Sequence, residues 1–204
     1  YAVDVKTGQE KWKFKTEDKV TSSPAVAEGM VFFGSVDHYL YAVDVKTGQE
    51  KWKFKTEDKV LSSPAVAGGM VFFGSNDNYL YAVDVKTGQE KWKFKTENFV
   101  FSSPAVADEM VFFGSVDHYL YAVDIKTGQE KWKFKTEDWV FSSPAVADGM
   151  VFFGSNDNYL YAVDVKTGQE KWKFKTEYWV YSSPAVAEGM VFFGSYDHYL
   201  YAVQ

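Results

Sequence analysis

A 40-residue period runs through the whole chain and restricts its fold more than any other feature. Five copies of one unit occupy 1–40, 41–80, 81–120, 121–160 and 161–200, with a partial copy at 201–204. Repeats of this length belong to propellers and solenoids, in which one unit cannot bury its own apolar face and its neighbours supply the cover. A composition that is 46% apolar is too rich for disorder, and no apolar run approaches the ~20 residues of a membrane-spanning helix. A single soluble domain over 1–204 is expected.

Within one unit no window shows the helical period, and four short strands separated by turns are predicted. Glu10–Thr16 alternates lysine with Trp12 and Phe14, the pattern of a strand with one dry and one wet face. It reads as the outer edge strand, where lysines also discourage pairing with other molecules. Val20–Ala27 is built of small residues around Ser22, Ser23 and Pro24 and reads as the innermost strand. Met30–Ser35 and Tyr39–Asp44 supply the two buried strands between them, joined by turns at Glu28–Gly29, Val36–His38 and Lys46–Gln49. Such a meander is one blade, and blades packed radially form a β-propeller.

The motif in Ala42-Val43-Asp44-Val45-Lys46-Thr47-Gly48-Gln49-Glu50-Lys51-Trp52, A-x-D-x-x-T-G-x-x-x-W, resembles the PQQ-like repeat of quinoprotein alcohol dehydrogenases and BamB-like outer-membrane assembly proteins. Phe73-Gly74-Ser75-Asn76-Asp77 and Tyr79-Leu80-Tyr81-Ala82 resemble the remainder of that repeat, so the likeness covers the chain. It implies that Trp12, Trp52, Trp92, Trp132 and Trp172 pack structurally against neighbouring blades while the Asp and Thr fix the turn. It also implies an extracytoplasmic location for a natural protein, although the chain shows no signal peptide.

The predicted fold is an all-β, five-bladed β-propeller of four-stranded antiparallel blades. Its fifth blade would join Val180–Val203 to Glu10–Thr16, closing the ring through both termini as a monomer. Tyr1–Val3 and Tyr201–Val203 duplicate one strand position, so one of them is expected to fray. An open arc that completes itself by oligomerising is the alternative. The near-identity of the units points either to a consensus-like designed protein or to recent amplification of one blade.

Of the 40 offsets in the unit, 32 are identical in all copies; those of Val5, Asp18, Lys19, Thr21, Glu28, Gly29, Val36 and His38 vary. Five of the eight fall in the loop before the innermost strand or the turn after the second strand, connections that emerge on one face near the axis. There the first two units carry Lys19 and Lys59. The others carry Phe99, Phe101, Trp139, Phe141, Tyr178, Trp179 and Tyr181, with Tyr196 added by the last turn. This is a candidate face for a small molecule, sugar or peptide, with rings to stack on and ammonium groups to attract an anionic substituent. The alternative is that the large side chains simply plug the mouth of the channel.

No catalytic constellation is found. The Ser22–Ser23 pairs have no histidine in their segment, and Gly34-Ser35 lacks the G-x-S-x-G surroundings. His38, His118 and His198 sit on separate turns that do not converge as zinc requires, and share their offset with Asn78 and Asn158; both residue types tolerate left-handed backbone. Asp37, Asp77, Asp117, Asp157 and Asp197 read as caps of their own turns, with cation binding as the alternative. Neither a metal nor a cofactor is expected. All 22 basic residues are lysine and the net charge is −6, so nucleic acid is not an expected partner. Without cysteine there is no disulfide or thiol chemistry. A non-catalytic scaffold with a binding face is therefore expected. A purely structural, ligand-free designed propeller is the alternative, and a quinone-dependent dehydrogenase-like protein, suggested by the resemblance, is the remote one.

Overall fold

The computed structural model describes residues 1–204. Every element is a strand. The chain opens with β1 (Ala2–Val3), β2 (Glu10–Trp12), β3 (Ala25–Ala27), β4 (Met30–Gly34), β5 (Tyr39–Asp44) and β6 (Glu50–Lys55), and β3 to β6 form a four-stranded antiparallel sheet in chain order that runs from the first unit into the second. The same sheet recurs as β7–β10 (Ala65–Ala67, Met70–Gly74, Tyr79–Asp84, Glu90–Lys95), β11–β14 (Ala105–Ala107, Met110–Gly114, Tyr119–Asp124, Glu130–Lys135) and β15–β18 (Ala145–Ala147, Met150–Gly154, Tyr159–Asp164, Glu170–Lys175). A three-stranded sheet follows, β19 (Ala185–Ala187), β20 (Met190–Gly194) and β21 (Leu200–Val203).

Register sorts the side chains between two faces. Phe32 lies opposite Ala42, and Ala42 opposite Trp52, so these three share one face with Leu40. That face packs on Val60, Val71, Phe73, Tyr81 and Val83 of the next sheet. The same core recurs between the second and third sheets and between the third and fourth. In the second, third and fourth sheets the apolar run Met-Val-Phe-Phe is buried on both faces because each of them is sandwiched between two others. Gly34 stands where the next unit approaches closest: a Cβ there would come within 2.5 Å of the Val60 carbonyl oxygen.

The outer turn explains the spacing of the sequence motif. The Asp44 carboxylate accepts the N–H groups of Lys46 and Thr47 and the Thr47 hydroxyl at 3.0, 3.0 and 3.1 Å, and Lys51 Nζ lies 3.1 Å from its other oxygen. Gly48 turns the chain with φ 69° and leaves the space against which the Trp12 ring lies. Trp12 Nε1–H donates to the Val45 carbonyl at 3.1 Å; Trp52, Trp92 and Trp132 do the same to Val85, Ile125 and Val165. Trp172 makes no such bond and rests on Phe152 of its own sheet, ring centroids 5.8 Å apart.

Three expectations are corrected. The innermost strand is Ala25–Ala27, not Val20–Ala27, because Pro24 has no N–H for a ladder and Ser23 spends its N–H on the neighbouring unit. Neither duplicated terminal segment frays: Ala2–Val3 pairs with β2, and Leu200–Val203 pairs with β20. For the same reason the fifth sheet is not closed by the two terminal segments. A hairpin spanning Asp4–Gln9 brings β1 to β2 locally, whereas β21 is remote in sequence and its outer edge is left without a partner strand.

Candidate binding face

The varied loops are held by invariant side chains. Asp37 accepts the Tyr39 N–H at 3.2 Å on one carboxylate oxygen, and the Tyr41 hydroxyl at 2.8 Å and the Glu17 N–H at 3.1 Å on the other. The equivalent aspartates make the same three contacts, so their carboxylates are occupied in fixing the turn to the incoming loop. Burial and the neighbouring aspartate push the hydroxyls of Tyr41, Tyr81, Tyr121 and Tyr161 far above their usual range. His38, Asn78, His118, Asn158 and His198 all have φ between 73° and 76°, the left-handed backbone for which these residue types suit the turn.

Backbone bonds then bring the two varied segments together. Val36 N–H donates to Lys19 O, Asn156 N–H to Trp139 O and Tyr196 N–H to Trp179 O, each at 2.9 Å. The Asn156 side chain is buried, and its carbonyl oxygen has no hydrogen-bond partner.

Around the axis lies a recess of about 360 Å³, lined by Thr21, Leu61, Phe101, Phe141 and Tyr181 at one offset and by Ser63, Ser103, Ser143 and Ser183 two residues later. The serines form a ladder from unit to unit. Ser23 N–H donates to Ser63 Oγ at 2.8 Å, Ser63 to Ser103 and Ser103 to Ser143 at 2.9 Å, and Ser143 to Ser183 at 3.0 Å. Each of these four hydroxyls is an acceptor in the ladder and keeps its own proton to donate.

The rings form one connected group. Phe141 meets Trp139 at 5.6 Å, Phe101 at 5.3 Å and Tyr181 at 4.9 Å between centroids. Tyr181 stacks on Tyr196 at 5.8 Å, Tyr196 meets Trp179 at 5.9 Å, and Trp179 meets Tyr178 at 5.0 Å. Burial, with Tyr196 beside it, raises the Tyr181 hydroxyl above its usual range, so it stays protonated at neutral pH. Trp139, Tyr178, Trp179 and Tyr196 remain exposed, and so does Phe99, which stands apart from these ring contacts.

The structure therefore brings together seven of the ten residues singled out in the sequence. Seven rings share the group, Phe99 does not, and Lys19 and Lys59 stand on exposed loops away from the recess lining. The serines were missed because they are invariant, and comparison between units reveals only what varies. Their position two residues beyond a varied offset was the available signal.

Over residues 1–162 the sequence matches the family described as the beta-propeller of beta-alanine-activating enzyme. The chain belongs to that beta-propeller family. Residues 138–204 also match the family described as outer membrane protein assembly factor BamB, as the PQQ-like motif implied. Among solved structures, BamB from Moraxella catarrhalis superimposes with a TM-score of 0.84 at 20% identity, over 96% of this chain and 64% of that one. A quinohemoprotein alcohol dehydrogenase from Pseudomonas putida gives 0.79 at 19% identity, over 94% and 41%. A europium-containing methanol dehydrogenase gives 0.81 at 16% identity, over 94% and 50%. The propeller thus spans less than two thirds of the length of each of these structures, and at such identities the likeness is one of fold. No curated protein matches the sequence.

Proposed function

We propose that the chain is a non-catalytic propeller scaffold of five blades whose axial face binds a small ligand with a flat apolar surface and hydrogen-bond acceptors, such as a sugar, or a peptide bearing an aromatic side chain. The observation that carries this reading is the recess itself, whose lining combines Phe101, Phe141 and Tyr181 with four serine hydroxyls that keep their protons to donate. Rings supply stacking area, and the hydroxyls fix orientation. The lining offers no general base: its one titratable group, Tyr181, is held protonated. The exposed rings of Trp139, Trp179 and Tyr196 extend the face outward in a contiguous patch, as at interaction surfaces. By likeness to the assembly factor, a protein segment is an equally suitable occupant.

The test is a tryptophan fluorescence titration against sugars, anionic aromatics, quinones and short peptides, with Trp139→Ala and Phe141→Ala as controls. A saturable change weakened by about 1–3 kcal/mol for each ring removed is expected. Affinities across the panel that ignore both substitutions would refute the reading.

A further inference from the structure

The hairpin between the innermost strand and the next recurs five times with different residues at its corner: Glu28-Gly29, Gly68-Gly69, Asp108-Glu109, Asp148-Gly149 and Glu188-Gly189. The flanking strands hold each turn to one length. Ala147 faces Met150 across β15 and β16, as Ala107 faces Met110 across β11 and β12, so two residues alone reverse the chain. Asp148 has φ 50° and Gly149 φ 74°, the left-handed pair that a two-residue turn of this hand requires.

Asp148 is the only aspartate of the chain that precedes a glycine. It is exposed, and its carboxylate lacks the N–H groups and lysine that hold Asp44 and the tyrosine hydroxyl that holds Asp37. The Gly149 carbonyl accepts the Val165 N–H at 2.9 Å, whereas the Gly149 N–H has no backbone acceptor. Nothing lies within 4 Å of the point a Gly149 Cβ would occupy. A carboxyl carbon and an amide nitrogen that can close a five-membered ring therefore share a turn with open space around it. The sister turns each lack one requirement. Glu28 and Glu188 carry an extra methylene and could close only a larger, less favoured ring, and Gly68 has no carboxyl group. Asp108 is followed by Glu109, whose Cβ crowds the attacking nitrogen and whose carboxylate is drawn to Lys126 at 3.3 Å.

We propose that Asp148-Gly149 is a site of spontaneous main-chain isomerisation to isoaspartate, and the only one among the five turns. The Gly149 nitrogen attacks Asp148 Cγ and an N–C bond forms, while the amide proton and the carboxyl hydroxyl leave together as water. A second water then opens the cyclic imide. Addition at Cγ restores aspartate. Addition at the main-chain carbonyl breaks its bond to the Gly149 nitrogen, so the chain continues through the side chain and a free α-carboxylate is left behind. One water leaves and one enters, and no oxidant, metal or cofactor takes part. The isomer puts an additional carbon into a turn that has room for two residues. Because the Gly149 carbonyl holds the Val165 N–H, and the Val165 carbonyl accepts the Trp132 indole N–H at 3.1 Å, the change slackens the junction between the third and fourth sheets.

The test is ageing of the folded chain in warm neutral buffer, followed by labelling with an isoaspartate-specific methyltransferase and peptide mapping. Label should grow with time on the peptide carrying residue 148, and the Ala147–Asp148 bond should become resistant to an endoprotease that cleaves before aspartate, with the mass of the chain unchanged. Asp148→Glu, which copies the turns of the first and last units, should abolish the label. Glu109→Gly gives the third turn the same dipeptide and suits its left-handed φ of 60°, so it should create a second labelled site at residue 108. The labelled fraction should melt below the fresh chain. Folded chain that ages without label at residue 148, or with as much at residue 108 before Glu109 is replaced, overturns the site. A labelled fraction that melts with the fresh chain overturns its coupling to the Trp132 junction.

Discussion

At the scale of single residues, glycine positions separate two physical demands. Gly29 turns the chain at φ 75° with open space around its missing side chain, while Gly34 has ordinary backbone and no space at all. Gly29→Ala should cost only the left-handed backbone, about 1–2 kcal/mol. Gly34→Ala should cost more, about 3 kcal/mol, since the clash involves the Val60 carbonyl and wedges two sheets apart. Urea midpoints of the two variants rank the effects, and equal costs would show that the sheets can slide to make room. The aspartates belong to the same scale. The Lys51 ammonium and the Thr47 and Lys46 N–H groups hold Asp44 at about 2, and the same surroundings with Thr87 foremost hold Asp84 at about 2, against an ordinary 3.8.

At the scale of the element, a buried face ties each sheet to the next, and an indole bond adds to it at the three junctions made by Trp52, Trp92 and Trp132. Trp132→Ala removes a ring that lies against Gly168 and a bond to the Val165 carbonyl, and should cost about 3 kcal/mol or more. Trp172→Ala removes a half-buried ring without that bond and should cost clearly less. Denaturant unfolding of both variants provides the comparison, and equal losses would mean that the ring's own sheet, not the neighbour, supplies its stabilisation. The sheets were legible in the sequence because their causes are local: the lysine alternation of β6, the Asp44–Gly48 turn and the double-faced apolar run of β4 each sit within a few residues. The ring closure was not, because Ala2–Val3 and Ala202–Val203 carry the same residues and only the short hairpin to β2 distinguishes them. For the face, comparison of units found the rings but misplaced the lysines. An offset fixes which loop a residue sits on, whereas the side on which its side chain emerges follows from register, and Lys19 stands two residues before the one that turns inward at Thr21.

At the scale of the whole molecule the repeated groups titrate together. The aspartates of the outer turns have lowered values, so their stabilising contribution is complete above the ordinary 3.8 and is lost as pH falls towards 2. The buried tyrosines have raised values, so their contribution is complete below the ordinary 10.0 and is lost as pH rises beyond it. Stability should therefore form a plateau from about pH 4 to pH 10 with a fall on either side. Urea midpoints across pH test this, and a midpoint that holds steady well above pH 10 would show that the Tyr81–Asp77 pair and its copies open without unfolding the sheets.

The serine ladder has a consequence for how such a chain changes over generations. Because Ser23 bonds to Ser63 in the same way as Ser103 bonds to Ser143, every junction is interchangeable with every other. Unequal crossing-over between two copies of the gene would add or remove 40 residues without creating a junction the protein does not already possess. Length is thus heritable variation that leaves local packing untouched, and the rings of the axial face can diverge one unit at a time on a frame that stays constant.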